Sequence, residues 1–183
     1  MSQLKVNSIV PVGGLPSGAN GGIIQVIQST KTDQTSTTSA LSSNVASGLS
    51  VTITPSSSSN KILIEYNLYL GAGPDDNAVC AGTKLRRGTT DIFIGDARSS
   101  AQRVTTYDIS RYGGSFNTPE VSDVHSATFL DSPSTTSAVT YSVVMGVLNN
   151  DGSKFVKTNG SANGGDSFNA TTASSITVFE VTS

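Results

Sequence analysis

Tryptophan is absent from this 183-residue chain, and cysteine and histidine occur once each, as Cys80 and His125. A single cysteine excludes a disulfide within the chain. A single histidine excludes zinc sites that need several histidines or cysteines, and a serine near His125 would mean little where serine is this common. The acidic stretch Asp75-Asp76-Asn77 could supply oxygen ligands to calcium, but a solvated turn is the preferred interpretation. The sequence therefore predicts no metal and no cofactor.

Charge is also scarce, at 13% of residues with a formal net charge of −2. The basic residues are spread along the chain, and the only doublet, Arg86-Arg87, precedes Gly88, where a solvated turn is expected. Nucleic-acid binding needs a clustered basic surface. We therefore expect no nucleic-acid partner.

Long apolar runs are missing as well. No stretch approaches the roughly 20 apolar residues of a membrane span, and the segment from Met1 to Val12 lacks the apolar core of a signal peptide. We therefore expect no membrane span, synthesis in a cytoplasm, and exit by a route other than secretion.

Paired catalytic carboxylates are not evident. Of the glutamates, Glu65 and Glu180 fall in predicted strands and Glu120 in a predicted loop, and the aspartates are scattered over turns. Phosphate-binding glycine motifs are absent too. The sequence predicts a protein that is not an enzyme.

What the chain does contain is period-two alternation. From Gly48 to Tyr66, apolar residues alternate with serine and threonine on either side of a Pro-Ser-rich break. Such alternation buries one face of a strand, whereas a helix needs spacings of three and four. This block predicts two strands, Leu49–Thr54 and Lys61–Leu70, joined as a hairpin by a polar turn.

Similar signals recur along the chain, and about a quarter of its residues are serine or threonine, as in strands with hydroxyl-lined outer faces. The Asn149-Asn150-Asp151-Gly152 stretch is a strong hairpin signal. We predict an all-β, antiparallel β-sandwich. The other expected strands are Ile23–Thr30, Thr35–Val45, Val79–Arg86, Thr90–Ile94, Arg103–Ser110, Ser126–Leu130, Ala138–Leu148, Lys154–Lys157 and Ser174–Val181.

Residues 1–22 differ from residues 23–183, which are expected to form the sandwich domain. A short apolar run is followed by a glycine-rich connector that cannot form a stable element alone. We interpret residues 1–22 as an extended N-terminal arm that is held against a neighbour. The alternative is an N-terminal strand that docks on its own domain.

Several predicted strands carry apolar residues on both faces, although a lone sandwich needs only one apolar face per sheet. These extra residues predict a subunit interface, and scattered surface hydrophobes are the alternative explanation. The predicted interface residues are Leu63, Tyr69, Val144, Leu148, Phe179 and Val181.

One segment, from Thr106 to Phe116, is rich in side chains that dominate recognition surfaces. It predicts a receptor or partner loop, with packing within a trimer or the core as the alternative. Its candidate residues are Tyr107, Arg111, Tyr112 and Phe116.

Four segments, taken in order, resemble small tail-fibre-like virion proteins of tailed phages, notably phages of cyanobacteria and other aquatic bacteria. They are MSQLKVNSI at the start, IIQVIQ, GLSVTITPSSSSNKILIEY and SSITVFEV near the end. The resemblance implies a jelly-roll-like sandwich that assembles as a homotrimer. It also implies attachment to other virion proteins, of the tail or capsid, through Leu4, Val6, Asn7 and Ile9, and distal loops that contact a host surface glycan or protein.

Three functions remain open at this point. The first is a trimeric tail fibre or spike, made in the host bacterial cytoplasm and located in the virion. The second is a capsid decoration protein that stabilises the phage head. The third is a free carbohydrate-binding or carbohydrate-cleaving sandwich, which the missing tryptophan and missing carboxylate pair disfavour.

Overall fold

A computed structural model of the chain describes residues 22–73, 79–110, 121–150, 152–160 and 170–182. These residues form two antiparallel sheets packed face to face, which confirms the predicted antiparallel β-sandwich. The strands are β1 (Ile23–Lys31), β2 (Ser36–Thr37), β3 (Val45–Ile53), β4 (Lys61–Gly73), β5 (Val79–Arg87), β6 (Thr90–Ile92), β7 (Thr106–Ser110), β8 (Val121–Asp131), β9 (Val139–Val147), β10 (Phe155–Thr158) and β11 (Ser174–Val181).

The first sheet is built around β4. Strand β8 pairs along one side of β4, while β11 and β10 share the other side, with β1 outside β11 and β2 outside β10. In the second sheet, β9 lies between β3 and β5, and β6 and β7 pair with the far side of β5. The strand pairs in both sheets are antiparallel, so each strand alternates between an inward and an outward side chain.

The inward side chains form the core. The alternating residues of β4 fill its centre, with Ile62, Ile64 and Leu68 fully buried. They pack against the inward residues of β3, β9 and β11. The buried aromatic residues are Tyr66 and Tyr141, and each directs its hydroxyl to a polar partner.

The predicted hairpin from Gly48 to Tyr66 is wrong in its pairing, although both strands exist. Strand β3 belongs to the second sheet, where it pairs with β9, and β4 belongs to the first. The intervening residues carry the chain from one sheet to the other, and Pro55 is buried at that crossing. Proline cannot donate a ladder hydrogen bond, so the break in the alternation marks a change of sheet and not a tight turn.

The hairpin predicted at Asn149–Gly152 is also wrong, because β9 and β10 lie in different sheets. Strand β10 pairs with the last residues of β4 beyond the point where β11 ends. Turn residues indicate only that the chain changes direction. The partner of each strand depends on residues far away in the sequence.

The predicted strand Thr35–Val45 is mostly not a strand. Ser36–Thr37 pairs with β10, Ala40 forms a single bridge with Val147, and Val45 begins β3. Leu41–Ser43 forms a 3₁₀ turn that ends at Asn44, whose φ is 51°. Asparagine tolerates this left-handed conformation better than most residues. Leu41 is fully buried because the turn packs on the outer face of the second sheet.

The two ends of the sandwich carry different parts of the chain. Gly22 bonds to Thr182 beside the Lys61 end of β4, and Val121 pairs with Ala72 near its other end. At about 3.3 Å per residue, the 11 steps from Lys61 to Ala72 span about 36 Å. Gly22 therefore lies at one end of the sandwich, and β8 begins at the opposite end.

Candidate interaction surfaces

An apolar row crosses the outer face of the first sheet from one edge strand to the other. The strand register aligns Val26 with Phe179, and Phe179 with Leu63. It also aligns Leu63 with Leu130 of β8. Val26 is 56% exposed and Leu130 46% exposed, at the two ends of the row. With two flanking residues at the Gly22 end, the outer apolar row consists of Ile24, Val26, Leu63, Leu130, Phe179 and Val181.

The centre of the same face is polar. Two residues further along each strand the register aligns glutamine, threonine and glutamate, and the next row is uncharged and polar. The apolar surface is therefore concentrated at one end of this face. The two polar rows are Gln28, Thr177, Glu65 and Thr128, followed by Thr30, Ser175, Asn67 and Ser126.

A buried carboxylate fixes the sheet crossing behind this row. Glu180 is 1% exposed, and its Oε1 accepts hydrogen bonds from the Ser56 backbone N–H at 2.6 Å, the Ser56 hydroxyl at 2.7 Å and Asn60 Nδ2 at 2.7 Å. Burial acts to raise the pKa of Glu180, but these hydrogen bonds outweigh it, so the pKa is lowered below its usual value of 4.5. The serine-rich segment is thus a cradle for one ionised carboxylate.

Part of the outer face of the second sheet is covered by two features of the same chain, the 3₁₀ turn at Leu41–Ser43 and the side chain of Lys84. A Cβ on Gly146 would lie 2.5 Å from the Leu41 Cα, so this glycine lets the 3₁₀ turn sit directly on β9. Lys84 lies in register with Val144 and reaches Asn44 at 3.2 Å, so its aliphatic stem crosses over β9. Val144 is consequently only 4% exposed.

Beside this cover lies a groove of about 400 Å³ on the outer face of β5 and β7. Tyr107 is 62% exposed and Ile109 38% exposed along one wall. Gln102 donates a hydrogen bond from Nε2 to the Leu148 carbonyl at 2.7 Å and so spans the groove. The groove is lined mainly by Cys80, Gln102, Val104, Tyr107, Ile109 and Leu148.

Under the groove, a chain of hydroxyls joins the two sheets. Thr106 lies 2.9 Å from Nδ1 of His125 and 2.5 Å from the Thr83 hydroxyl. Thr83 in turn lies 3.1 Å from the Tyr66 hydroxyl. Burial lowers the pKa of His125, although Asp108 and Asp123 act to raise it, and burial raises the pKa of Tyr66.

These hydroxyl contacts link β7 and β8, which belong to different sheets, and so close this side of the sandwich. His125 is 4% exposed and bonds a threonine within the fold. A serine triad would place a nucleophilic hydroxyl beside its histidine where substrate can reach it. The geometry at His125 is that of a buried structural contact.

A second tie between the sheets lies at the opposite end of β8. Arg87 Nη1 contacts both Asp131 oxygens, at 3.0 and 2.9 Å, and the Tyr141 hydroxyl donates to Asp131 at 2.7 Å. Burial and the Asp131 carboxylate raise the pKa of Tyr141. The turn predicted at Gly88 is present, with φ of 57°, but the arginine doublet is not simply solvated, because Arg86 also pairs with Asp91 at 2.9 Å.

The predicted interface residues separate into three groups. Leu63, Phe179 and Val181 belong to the outer apolar row. Tyr69 is half-buried on the same face but toward its other end, beside Val124. Val144 and Leu148 lie on the second sheet, where the 3₁₀ turn and the Lys84 stem leave Val144 only 4% exposed.

Leu148 and the predicted partner-loop residue Tyr107 share the groove, which joins two sequence predictions that had been separate. The other partner-loop residues, Arg111, Tyr112 and Phe116, lie outside the described residues. So do the anchoring residues Leu4, Val6, Asn7 and Ile9 and the Asp75-Asp76-Asn77 stretch.

Sequence reasoning missed three members of the outer apolar row: Ile24, Val26 and Leu130. In β1 the apolar residues occupy positions 23, 24, 26 and 27, so both faces are apolar and the alternation does not say which face points outward. The Leu130 position next to inward Phe129 has the same ambiguity. The register with Phe179 and Leu63 places Val26 and Leu130 in the row, whereas Ile24 lies at the bulge between Ile23 and Gln25.

No group of three histidine, cysteine, aspartate or glutamate side chains that could hold a metal ion is present among the described residues. The described part of the chain also contains no helix with the length and apolarity to cross a membrane. No protein-family model matches the chain, and no curated protein is significantly similar to it.

Proposed function

We propose that the chain is a non-enzymatic structural protein of a phage virion, a trimeric tail-fibre or spike-type appendage that attaches through its N-terminal segment. The sequence resemblance to small tail-fibre-like virion proteins motivates this proposal. The observation that supports it is that Gly22, which follows the predicted arm, and the residues that flank the predicted partner segment lie at opposite ends of the sandwich.

The arm joins the fold at Gly22, beside the Lys61 end of β4. The described part of the predicted partner segment ends at Ser110, which pairs with Val79, and the next described residue, Val121, pairs with Ala72. Both of these flanks belong to the far end of the sandwich. An appendage needs one end for the particle and the other for the host surface, and this chain has its predicted contacts in that order.

The strand order adds support by analogy of fold, which is weaker support than a site. If β6 and β7 are counted as one strand and the short β2 and β10 are left out, eight strands remain. Renumbered from 1 to 8 in chain order, they follow the order 1-8-3-6 in the first sheet and 2-7-4-5 in the second. This is the order of a double Greek-key jelly roll, an architecture that recurs in viral capsid and lectin domains.

The groove at Tyr107 is the proposed host contact at the distal end. Its exposed tyrosine offers a flat face for a glycan or a protein side chain, and Gln102 supplies a polar group beside it. A Tyr107→Ser variant is expected to lose host-cell binding and to retain its place in the particle, with Thr90→Ser as an exposed control on the same sheet.

Particle composition tests the proposal. Mass spectrometry of purified virions is expected to detect the full chain, and a chain lacking Met1 to Pro16 is expected to fold and to be missing from particles. Absence of the full chain from particles would overturn the proposal. Failure of the truncated chain to fold would show that the arm is part of the domain.

Capsid decoration is the second candidate, because the outer apolar row lies at the same end as Gly22 and both could face a shell. Copy number separates the two: on the order of hundreds of copies per particle fits repeated capsid positions, whereas a tail position fits far fewer. Binding of purified protein to glycans without any incorporation into particles would instead favour the free carbohydrate-binding sandwich.

A further inference from the structure

The outer apolar row is flanked by two opposite charges. Lys61 and Glu65 lie on β4, two residues before and two residues after Leu63, and all three side chains point outward. They are the only charged residues at the outward positions of β1, β4, β8 and β11. Both are exposed, and neither forms a salt bridge within the described part of the chain.

We propose that the outer apolar row binds the same row of a second copy of this chain, about a two-fold axis that runs along the row. A half-turn about that axis brings each Leu63 opposite its counterpart. It also brings Lys61 of each copy opposite Glu65 of the other, because the two charges are equally far from Leu63 on one strand. Val26, Phe179, Leu63 and Leu130 therefore each lie opposite their own counterparts and the two charges are paired, whereas Val181, in register with Lys61, lies opposite Thr177 of the other copy.

A three-fold arrangement of the same face lacks this charge match. Three sheets that face a common axis with parallel strands place Lys61 at the level of Lys61 and Glu65 at the level of Glu65. The two-fold contact goes beyond the proposed function, because it would form whether or not the copies also assemble as trimers. In trimers it would pair one trimer with another.

The contact is small. Four strands about 4.8 Å apart give a row about 15 Å long, which is well below the area of a typical stable interface. We therefore expect weak association that is measurable at high protein concentration and becomes significant where copies are held together.

Sedimentation of the full chain over a range of concentrations tests the contact. Leu130→Ser is expected to weaken association, because it removes an apolar end of the row from both copies. Val124→Ser is the matched control, since Val124 is a similarly exposed apolar residue, at 43% against 46%, on the same strand and face. An equal effect of both variants would overturn the proposal.

A charge swap is the sharper test. Lys61→Glu and Glu65→Lys each place like charges opposite one another twice, so each is expected to weaken association about tenfold. The double variant restores both opposite pairs and is expected to recover the original affinity. Failure of the double variant to recover would overturn the two-fold arrangement.

The remaining outcomes separate this inference from the proposed function. A stable three-chain species that shows no further association depending on the row residues, even at high concentration, would overturn the two-fold contact and leave the virion proposal intact. Row variants that self-associate normally but bind particles less would assign the row to a shell or tail protein. A chain that self-associates as predicted but is missing from particles would overturn the virion proposal alone.

Discussion

The outer faces of the two sheets differ although the same kind of sequence builds them. On the first sheet the row around Leu63 and Phe179 has no cover from the described residues, and its ends are about half exposed. On the second sheet Val144 is 4% exposed under the 3₁₀ turn and the Lys84 stem. Outward apolar residues on this sandwich are therefore of two kinds. Those of the first sheet can contact another molecule, whereas Val144 on the second sheet already packs against its own chain.

The difference depends on glycine at outward positions. Gly82 of β5 pairs with Gly146 of β9, so no side chain stands on the sheet there and Leu41 occupies the space. In the outer apolar row of the first sheet, Val26 is 56% and Leu130 46% exposed. A covering segment needs small residues beneath it.

The largest expected effect on stability comes from truncating Leu41 in the 3₁₀ turn that covers β9. Leu41→Ala is expected to lower the free energy of unfolding by about 3 kcal/mol, because a fully buried leucine leaves a cavity. Leu130→Ala on the open face is expected to cost about 0.5 kcal/mol. Urea unfolding at low protein concentration measures both, and equal losses would contradict the distinction between the two faces.

The second-largest expected effect on stability comes from adding a side chain beneath the 3₁₀ turn. A Cβ on Gly146 would meet the Leu41 backbone at 2.5 and 2.6 Å, and a backbone cannot move aside as a flexible side chain can. Gly146→Ala is therefore expected to destabilise the fold by about 2 kcal/mol. Gly95→Ala is the control, since a Cβ there has no neighbour within 4 Å. A neutral Gly146→Ala would show that the turn is not seated on β9.

The sequence predicts the strands well and their partners poorly. Alternation fixed the inward residues of β4 and β11 because burial of one face depends only on neighbours along the strand. The same pattern could not show that β3 and β4 belong to different sheets, since that depends on the pairing of β3 with β9 and of β4 with β8 and β11, which are distant in sequence. For the candidate surface, three of its six residues were found from strand patterns, whereas Val26 and Leu130 required the register and Ile24 lies at a bulge.

The buried carboxylate gives a third and smaller effect on the first sheet. Hydrogen bonds lower the pKa of Glu180 in the folded state, so its contribution is present above the unfolded value of 4.5 and is lost as pH falls through the folded pKa. Glu180→Gln is expected to cost about 1.5 kcal/mol at pH 7 and less at pH 3. Glu65→Gln, exposed on the same sheet, should leave stability nearly unchanged. A Glu180→Gln loss of stability that is the same at both pH values would contradict an ionised Glu180 held by these hydrogen bonds.

The smallest expected effect concerns the tie between the two sheets at His125. Burial lowers its pKa in the folded state, so the unfolded chain takes up a proton first as pH falls below about 6.5, and stability is lost from there down to the folded pKa. Asp108 and Asp123 oppose this shift. His125→Gln is expected to flatten the stability profile between pH 7 and 5, the range above the Glu180 transition. Hydrogen exchange shows where in the fold this stability is lost. The amides of β7 should exchange first in acid, because Thr106 is the partner of His125. The amides of β9 under the 3₁₀ turn should remain protected. Early opening of β9 would mean that the covered face is the weaker of the two, which would reverse the comparison between the sheets.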